Sequence, residues 1–288
     1  MNRMKKLLAL VLALLMLLSL TACGSFESKM ARAVTKMGKL ESVHVDAKLD
    51  TDMSMTLLGN SSELPLSADL SLDSQRDPAL LGMELELTAM GVAQKLLIYG
   101  EKQGESWTTY SSSDGGKTWE TGQSTFSGEA EFTLDLSGGD ALKALAGLAG
   151  SFTETGEESI RGMTCTTFSG SIPAELLREG LREAGALEKL EEALNLDLSD
   201  LDLSSVGDMP VSISLDNKSG MIVRVTMDLS PVVGDLLRQV MAEVLAQNDS
   251  TGLMAGLGLE LSVERVTAVI DLSEFDNVQV EIPAEARG

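Results

Sequence analysis

The sequence predicts an α+β fold: a curved antiparallel sheet, an incomplete barrel, with helices covering its concave apolar face. Two observations predict it. Strict apolar/polar alternation recurs in stretch after stretch along the chain, and a few segments of helical period interrupt it. Clean alternation marks strands with one buried and one wet face, as in antiparallel sheets; parallel strands covered on both faces read as continuous apolar runs. Strands that share an apolar face must then bury it, and amphipathic helices are the available cover.

The longest alternation runs from Val43 to Leu57. Odd positions carry Val43, Val45, Ala47, Leu49, Met53, Met55 and Leu57, and even positions are polar throughout. The pattern returns at Leu66–Leu72, Met83–Leu87, Phe132–Leu136, Val211–Leu215, Met221–Leu229, Leu257–Val263 and Val278–Ile282. Helical spacing appears at Met30, Ala33, Val34, Met37 and Leu40, and in a short alanine-rich stretch, Ala141–Ala149. Two longer helices are expected over Pro173–Leu194 and Pro231–Gln247, each with proline near its start, where the missing N–H costs nothing. Residues 195–208 and 248–256 read as loops.

The N-terminus reads as an export signal. Arg3, Lys5 and Lys6 precede an apolar core of 14 residues, Leu7 to Leu20, interrupted only by Ser19. That core is too short to span a bilayer comfortably. Leu20-Thr21-Ala22-Cys23 closes it and resembles a bacterial lipobox, which implies a diacylglyceryl group on Cys23 and cleavage before it. A plain secretory signal ending near Ala22 is the alternative. The expected organisation is a signal peptide over 1–22, a lipidated tether over 23–28 and a single domain over 29–288.

Residues 1–22 carry three of the 22 basic side chains and no acidic one, so the remaining 266 residues hold 19 basic against 44 acidic groups, a charge of −25. Such a surface repels nucleic acid and anionic headgroups, so the expected membrane attachment is acyl chains rather than a polybasic patch. Two cysteines exist. With Cys23 acylated, Cys165 has no partner in the chain and reads as a buried structural thiol on a strand face shared with Met163 and Thr167.

Three stretches carry a family resemblance. They are Ile160–Gly170 running through Ile172 into the Pro173 helix, the hairpin Val211–Val225 with its Asp216-Asn217-Lys218-Ser219-Gly220 turn, and the tail Phe275-Asp276-Asn277-Val278 to Pro283. In this order, behind a lipobox and one helix, they resemble the LolA-like half-barrel lipoproteins of the LppX/LprG type. The resemblance implies a non-catalytic protein that binds or carries a lipid-like ligand in a cavity between sheet and helices, held at the membrane by Cys23. It supplies no catalytic residue, no metal site and no cofactor. The cavity is expected to be lined by Val45, Ala47, Leu49, Met53, Met55, Ala68, Leu70, Val223, Val225, Leu236, Leu237, Met241 and Leu259. A ligand-free envelope interaction or structural lipoprotein is the alternative.

Other motifs weigh less. Ser112-Ser113-Asp114-Gly115-Gly116-Lys117-Thr118-Trp119 matches an Asp box, but sialidase-type propellers repeat it in every blade and here it occurs once, so it is expected to be a turn joining Trp107–Ser111 to Lys117–Thr121. His44 is the only histidine and falls on the polar face of the first strand, where solvent is its expected surrounding. Asp197, Asp200, Asp202 and Asp208 lack the glycine and closing glutamate of a calcium loop.

Overall fold

A computed structural model describes residues 25–104, 106–124, 148, 151–183, 201–248 and 260–288, with side chains for all of these except 124, 181, 183 and 241–248. In chain order the elements are α1 (Phe26–Met37), β1 (Ser42–Leu57), β2 (Asn60–Glu63), β3 (Leu66–Gln75), β4 (Leu80–Ala89), β5 (Val92–Gln103), β6 (Ser106–Ser112), β7 (Glu120–Ser124), β8 (Thr153–Ile160), β9 (Met163–Ile172), α2 (Ala174–Glu183), β10 (Met209–Asp216), β11 (Ile222–Asp228), α3 (Ser230–Asn248) and β12 (Glu260–Ser273). The expected helix at 141–149, the strand at 132–136, Cys23 and the leader lie outside the described residues.

The strands form one curved, unclosed antiparallel sheet in the order β7-β6-β5-β4-β3-β1-β12-β11-β10-β9-β8, with β2 folded back on β1. Consecutive strands are joined mainly by tight hairpins. Leu58-Gly59, Met90-Gly91 and Arg161-Gly162 all have positive φ at both turn residues, the geometry whose twist matches that of the flanking strands. The exception lies at the centre, where β1 pairs with β12 along nearly its whole length, from His44↔Ser273 to Thr56↔Glu260.

Three of the sequence expectations need correction. Residues 26–28, read as tether, form the first turn of α1, because Ser25 caps the helix by accepting a hydrogen bond from Ser28 N. Val278–Ile282 is not a strand. Its alternating valines are buried, but their amide groups donate to side chains, Val278 N to Ser42 Oγ and Val280 N to Gln75 Oε1, instead of to a neighbouring strand. The strand read as ending at Val263 continues to Ser273. A bulge where Asp52 pairs with Arg265 and Met53 with Val263 leaves Glu264 over, so the inward residues switch from Leu261 and Val263 to Val266, Ala268, Ile270 and Leu272.

Two of the strands that gave no alternating signal show why. β5 contains Leu96-Leu97-Ile98-Tyr99, a continuous apolar run half-buried on both faces: Leu96 and Ile98 face inward, while Tyr99 tilts against Trp119 on the other side, ring centroids 5.8 Å apart. β8 is an edge strand, exposed from Thr153 to Ser159 and rich in glutamate, a composition that blunts an open edge.

The main core lies between the helices and the β9–β12 half of the sheet. Phe26, Met30, Ala33 and Met37 of α1, one side of the helix by their spacing, pack with Phe152, Phe168, Val211, Ile213, Leu215 and Leu272; Leu177 of α2 and Val232 and Leu236 of α3 complete the cover. Phe26 stacks on Phe152 at 4.6 Å and tilts against Phe168 at 5.0 Å.

Candidate functional site: the concave face

Strand register aligns the inward side chains into rows that cross the sheet. One row reads Leu96, Leu85, Leu70, Ala47, Ile270, Val225, Ile213, Phe168, each directly opposite the next. A second, two residues along, reads Leu87, Ala68, Leu49, Ala268, Met227, Val211. An apolar surface therefore spans eight of the strands without a polar break in the first row, because every register step preserves the period of two.

The helices do not cover this surface evenly. On the β9–β12 side the rows are closed under the main core. On the β1–β5 side Leu49, Met53, Met55, Leu70, Leu85 and Leu96 are half-buried, and Leu57, Leu66, Leu87 and Val92 are exposed. An open hollow of about 560 Å³ lies at this end, lined by Leu85, Leu87, Ala93, Gln94, Lys95, Leu96 and Ser113. It sits beside the stretch of β5 that extends past its neighbour, since β6 pairs only with Leu97–Gln103. Leucines make up most of its apolar lining, and Lys95, Gln94 and Ser113 are its polar members.

Of the residues expected to line a cavity, Val45, Ala47, Leu49, Met53, Met55, Ala68, Leu70 and Val225 share the concave face. Val45 is buried within the main core, and Val225 and Leu236 pack against it. Leu237 is half-buried on α3. Val223 is elsewhere. It lies at a bulge, with Ser214 opposite Arg224 but Leu215 opposite Ile222, and is fully buried in a separate cluster with Ile160 and Cys165. The Met241 side chain and Leu259 lie outside the described residues. Leu85, Leu87 and Leu96 complete the hollow and were not among the expected lining residues, although the Met83–Leu87 alternation marked two of them.

The convex face is polar and heavily paired. Arg224 donates to Asp271 through Nε and Nη2, at 2.6 and 2.7 Å. Arg161, from the β8–β9 turn, contacts Asp46 and donates to Ser273 Oγ at 3.0 Å. His44 is less open to solvent than expected, bonded through Nδ1 to Asp73 at 2.7 Å and facing Asp46 at 3.1 Å. Burial lowers its pKa, but the two carboxylates outweigh this and raise it above the ordinary value. Burial likewise pushes the Asp46 carboxyl up, yet Arg161 and His44 hold it below the usual range.

The Asp box is the turn between β6 and β7. Asp114 Oδ1 accepts from Lys117 N, Thr118 N and Ser112 Oγ at 2.9, 3.0 and 2.8 Å, and Oδ2 accepts from Thr118 Oγ1 at 2.6 Å. These donors hold its carboxyl far below the usual range. Trp119 Nε1 donates to Gly116 O at 3.1 Å. Asp202 caps a short 3-10 turn at Leu203–Ser205, and Asp208 Oδ1 accepts from Ala174 N at the start of α2. Among the described residues no group of three or more His, Cys, Asp or Glu side chains is placed to hold a metal, and no helix is long and apolar enough to cross a membrane.

A single open sheet with a one-sided apolar face and helices laid on that face is a half-barrel. Two solved structures are similar in overall fold. The lipoprotein LppX from Mycobacterium tuberculosis is 15% identical, with 89% of this chain and 98% of that one covered at a TM-score of 0.41. LprF from Mycobacterium bovis is 16% identical, with 91% and 100% covered at 0.42. No protein-family model matches the chain, and a search of curated proteins finds no match.

Proposed function

We propose that the chain is an extracytoplasmic lipoprotein, anchored to the cell membrane by acylated Cys23, that binds a lipid-like ligand without catalysis on the uncovered part of its concave face. The observation that carries this reading is the unbroken inward row from Leu96 to Phe168, closed by helices at one end and left half-exposed around a hollow of about 560 Å³ at the other. Binding sites for small apolar molecules are concave, mostly apolar, a few hundred to a thousand Å³ in size, and carry a few polar groups. Leu85, Leu87 and Leu96 supply the first property, Lys95 and Gln94 the last. An acyl chain along the row would remove from water side chains that the helices leave wet.

The test is binding of a fluorescent fatty acyl probe to the delipidated full chain. Leu87→Glu and Leu96→Glu place a charge where the chain would lie, at positions open enough for the fold to tolerate it. Each is expected to weaken binding by about tenfold or more, since an unpaired charge against hydrocarbon is costly. Unchanged affinity in both variants, or no binding by the parent protein, would favour the ligand-free interaction protein instead.

A further inference from the structure

The strongly acidic average hides a cationic face. Lys29, Arg32, Lys36 and Lys39 are spaced three, four and three residues apart, which places them along one side of α1, or just past its end, away from the buried Phe26, Met30, Ala33 and Met37. The β10–β11 turn brings Lys218 to the same place. Lys29, Arg32, Lys36 and Lys218 line a hollow of about 350 Å³ together with Thr166, Asn217, Gly220 and one carboxylate, Asp216, which accepts from Ser219 N at 2.7 Å; Lys36 Nζ donates to Ser219 O across the hollow.

These cations differ from most of the others, although among the described residues Arg76 and Lys117 also have no carboxylate within ion-pair distance. Arg161, Arg224, Arg265, Arg287 and Lys95 are all paired with carboxylates. Among the described residues, Arg32, Lys36, Lys39 and Lys218 have no carboxylate within ion-pair distance; only Lys29 has one, Glu154 at 3.6 Å. In a chain with twice as many acids as bases, four adjacent unpaired cations are a segregated surface.

Position says what faces it. Cys23 is two residues before the Ser25 cap, so the chain reaches at most about 7 Å from that cysteine to the helix. A 12-residue helix is about 18 Å long. A bilayer holding an acyl group on Cys23 is therefore within about 25 Å of the far end of α1, and comes within one screening length of about 8 Å of the whole stripe when α1 lies along its surface.

We propose that this face docks on anionic phospholipid headgroups of the membrane that holds the anchor, and so fixes the orientation of the domain. The acyl group supplies attachment and the cationic stripe supplies the angle, turning the acidic remainder of the surface away from the bilayer. The proposal rests on the Cys23 anchor for proximity, and the experiment reads the two separately.

The full chain is mixed with vesicles of phosphatidylcholine alone or of phosphatidylcholine with phosphatidylglycerol. Flotation with phosphatidylcholine vesicles reads the anchor. Lysine acetylation followed by peptide mass spectrometry reads the face. Lys36, Lys39 and Lys218 are expected to react several-fold more slowly on the phosphatidylglycerol vesicles, while Lys117 in the β6–β7 turn reacts equally on both. An Arg32→Gln/Lys218→Gln variant should lose much of the protection at Lys36 and Lys39. Equal rates on both vesicles would overturn the proposal. So would equal protection by inorganic phosphate over phosphatidylcholine vesicles, which would make the hollow a site for soluble anions. Failure to float with protection intact would remove the anchor and leave the docking face standing.

Discussion

Arg224 and Asp271 lie directly opposite one another on β11 and β12 and share two parallel hydrogen bonds on the convex face. Asp271 is only 14% exposed, and Arg161 approaches it from the other side at 3.9 Å. The carboxylate therefore ties the β8–β9 turn to the centre of the sheet. Replacing Asp271→Ala removes a bidentate acceptor and leaves a partly buried guanidinium without it. The expected loss is about 2 kcal/mol, read as a lower urea midpoint with an unchanged slope.

His44 has a raised folded-state pKa, so protonation favours the folded chain. Its contribution is fully present below its unfolded pKa, near 6.5, and is lost as pH rises through the higher folded value. The His44→Gln variant should accordingly be destabilised relative to the parent at pH 5 and nearly equal to it well above neutrality. Paired thermal melts across that range check the sign; a deficit that grows with pH contradicts it.

Gly170 lies where β9 passes under the β8 entry. A Cβ there would stand 2.8 Å from Ser151 O and 2.8 Å from Phe152 Cγ, and the first of these is backbone that a rotamer change cannot move. Gly170→Ala is expected to push Phe152 off its stack with Phe26 and cost about 1–3 kcal/mol by overpacking. Equilibrium unfolding measures it.

Cys165 is fully buried, and burial pushes its thiol pKa up. In a Cys23→Ser background, a thiol reagent should label the native protein no faster than the protein opens, and at full rate in denaturant. Rapid labelling of the folded chain would contradict the burial.

Much of the concave face was legible in the sequence because period two fixes which side of a strand a residue occupies. Val45, Ala47, Leu49, Leu70 and Val225 reach one surface for that reason. The reading failed where backbone irregularity breaks the period. Glu264 reverses the phase inside β12, and the bulge at Ile222–Val223 carries Val223 to the other side of the sheet. It failed too where burial has another cause, as at Val278 and Val280, whose N–H groups are taken by Ser42 and Gln75 side chains.

The sequence by itself determined the antiparallel class, the helices begun by proline, the Asp-box turn and the buried thiol of Cys165. These depend on local periodicity, turn chemistry and residue count. Only the tertiary structure decided that β1 joins β12, strands from opposite ends of the chain, so that two runs of hairpins merge into one face. Alternation specifies a side but not a neighbour; the pairing comes from burying both apolar faces together under α1, α2 and α3. Only the structure, likewise, gathered Lys218 beside the α1 stripe and left the leucines of β4 and β5 uncovered, because both depend on where a helix comes to rest.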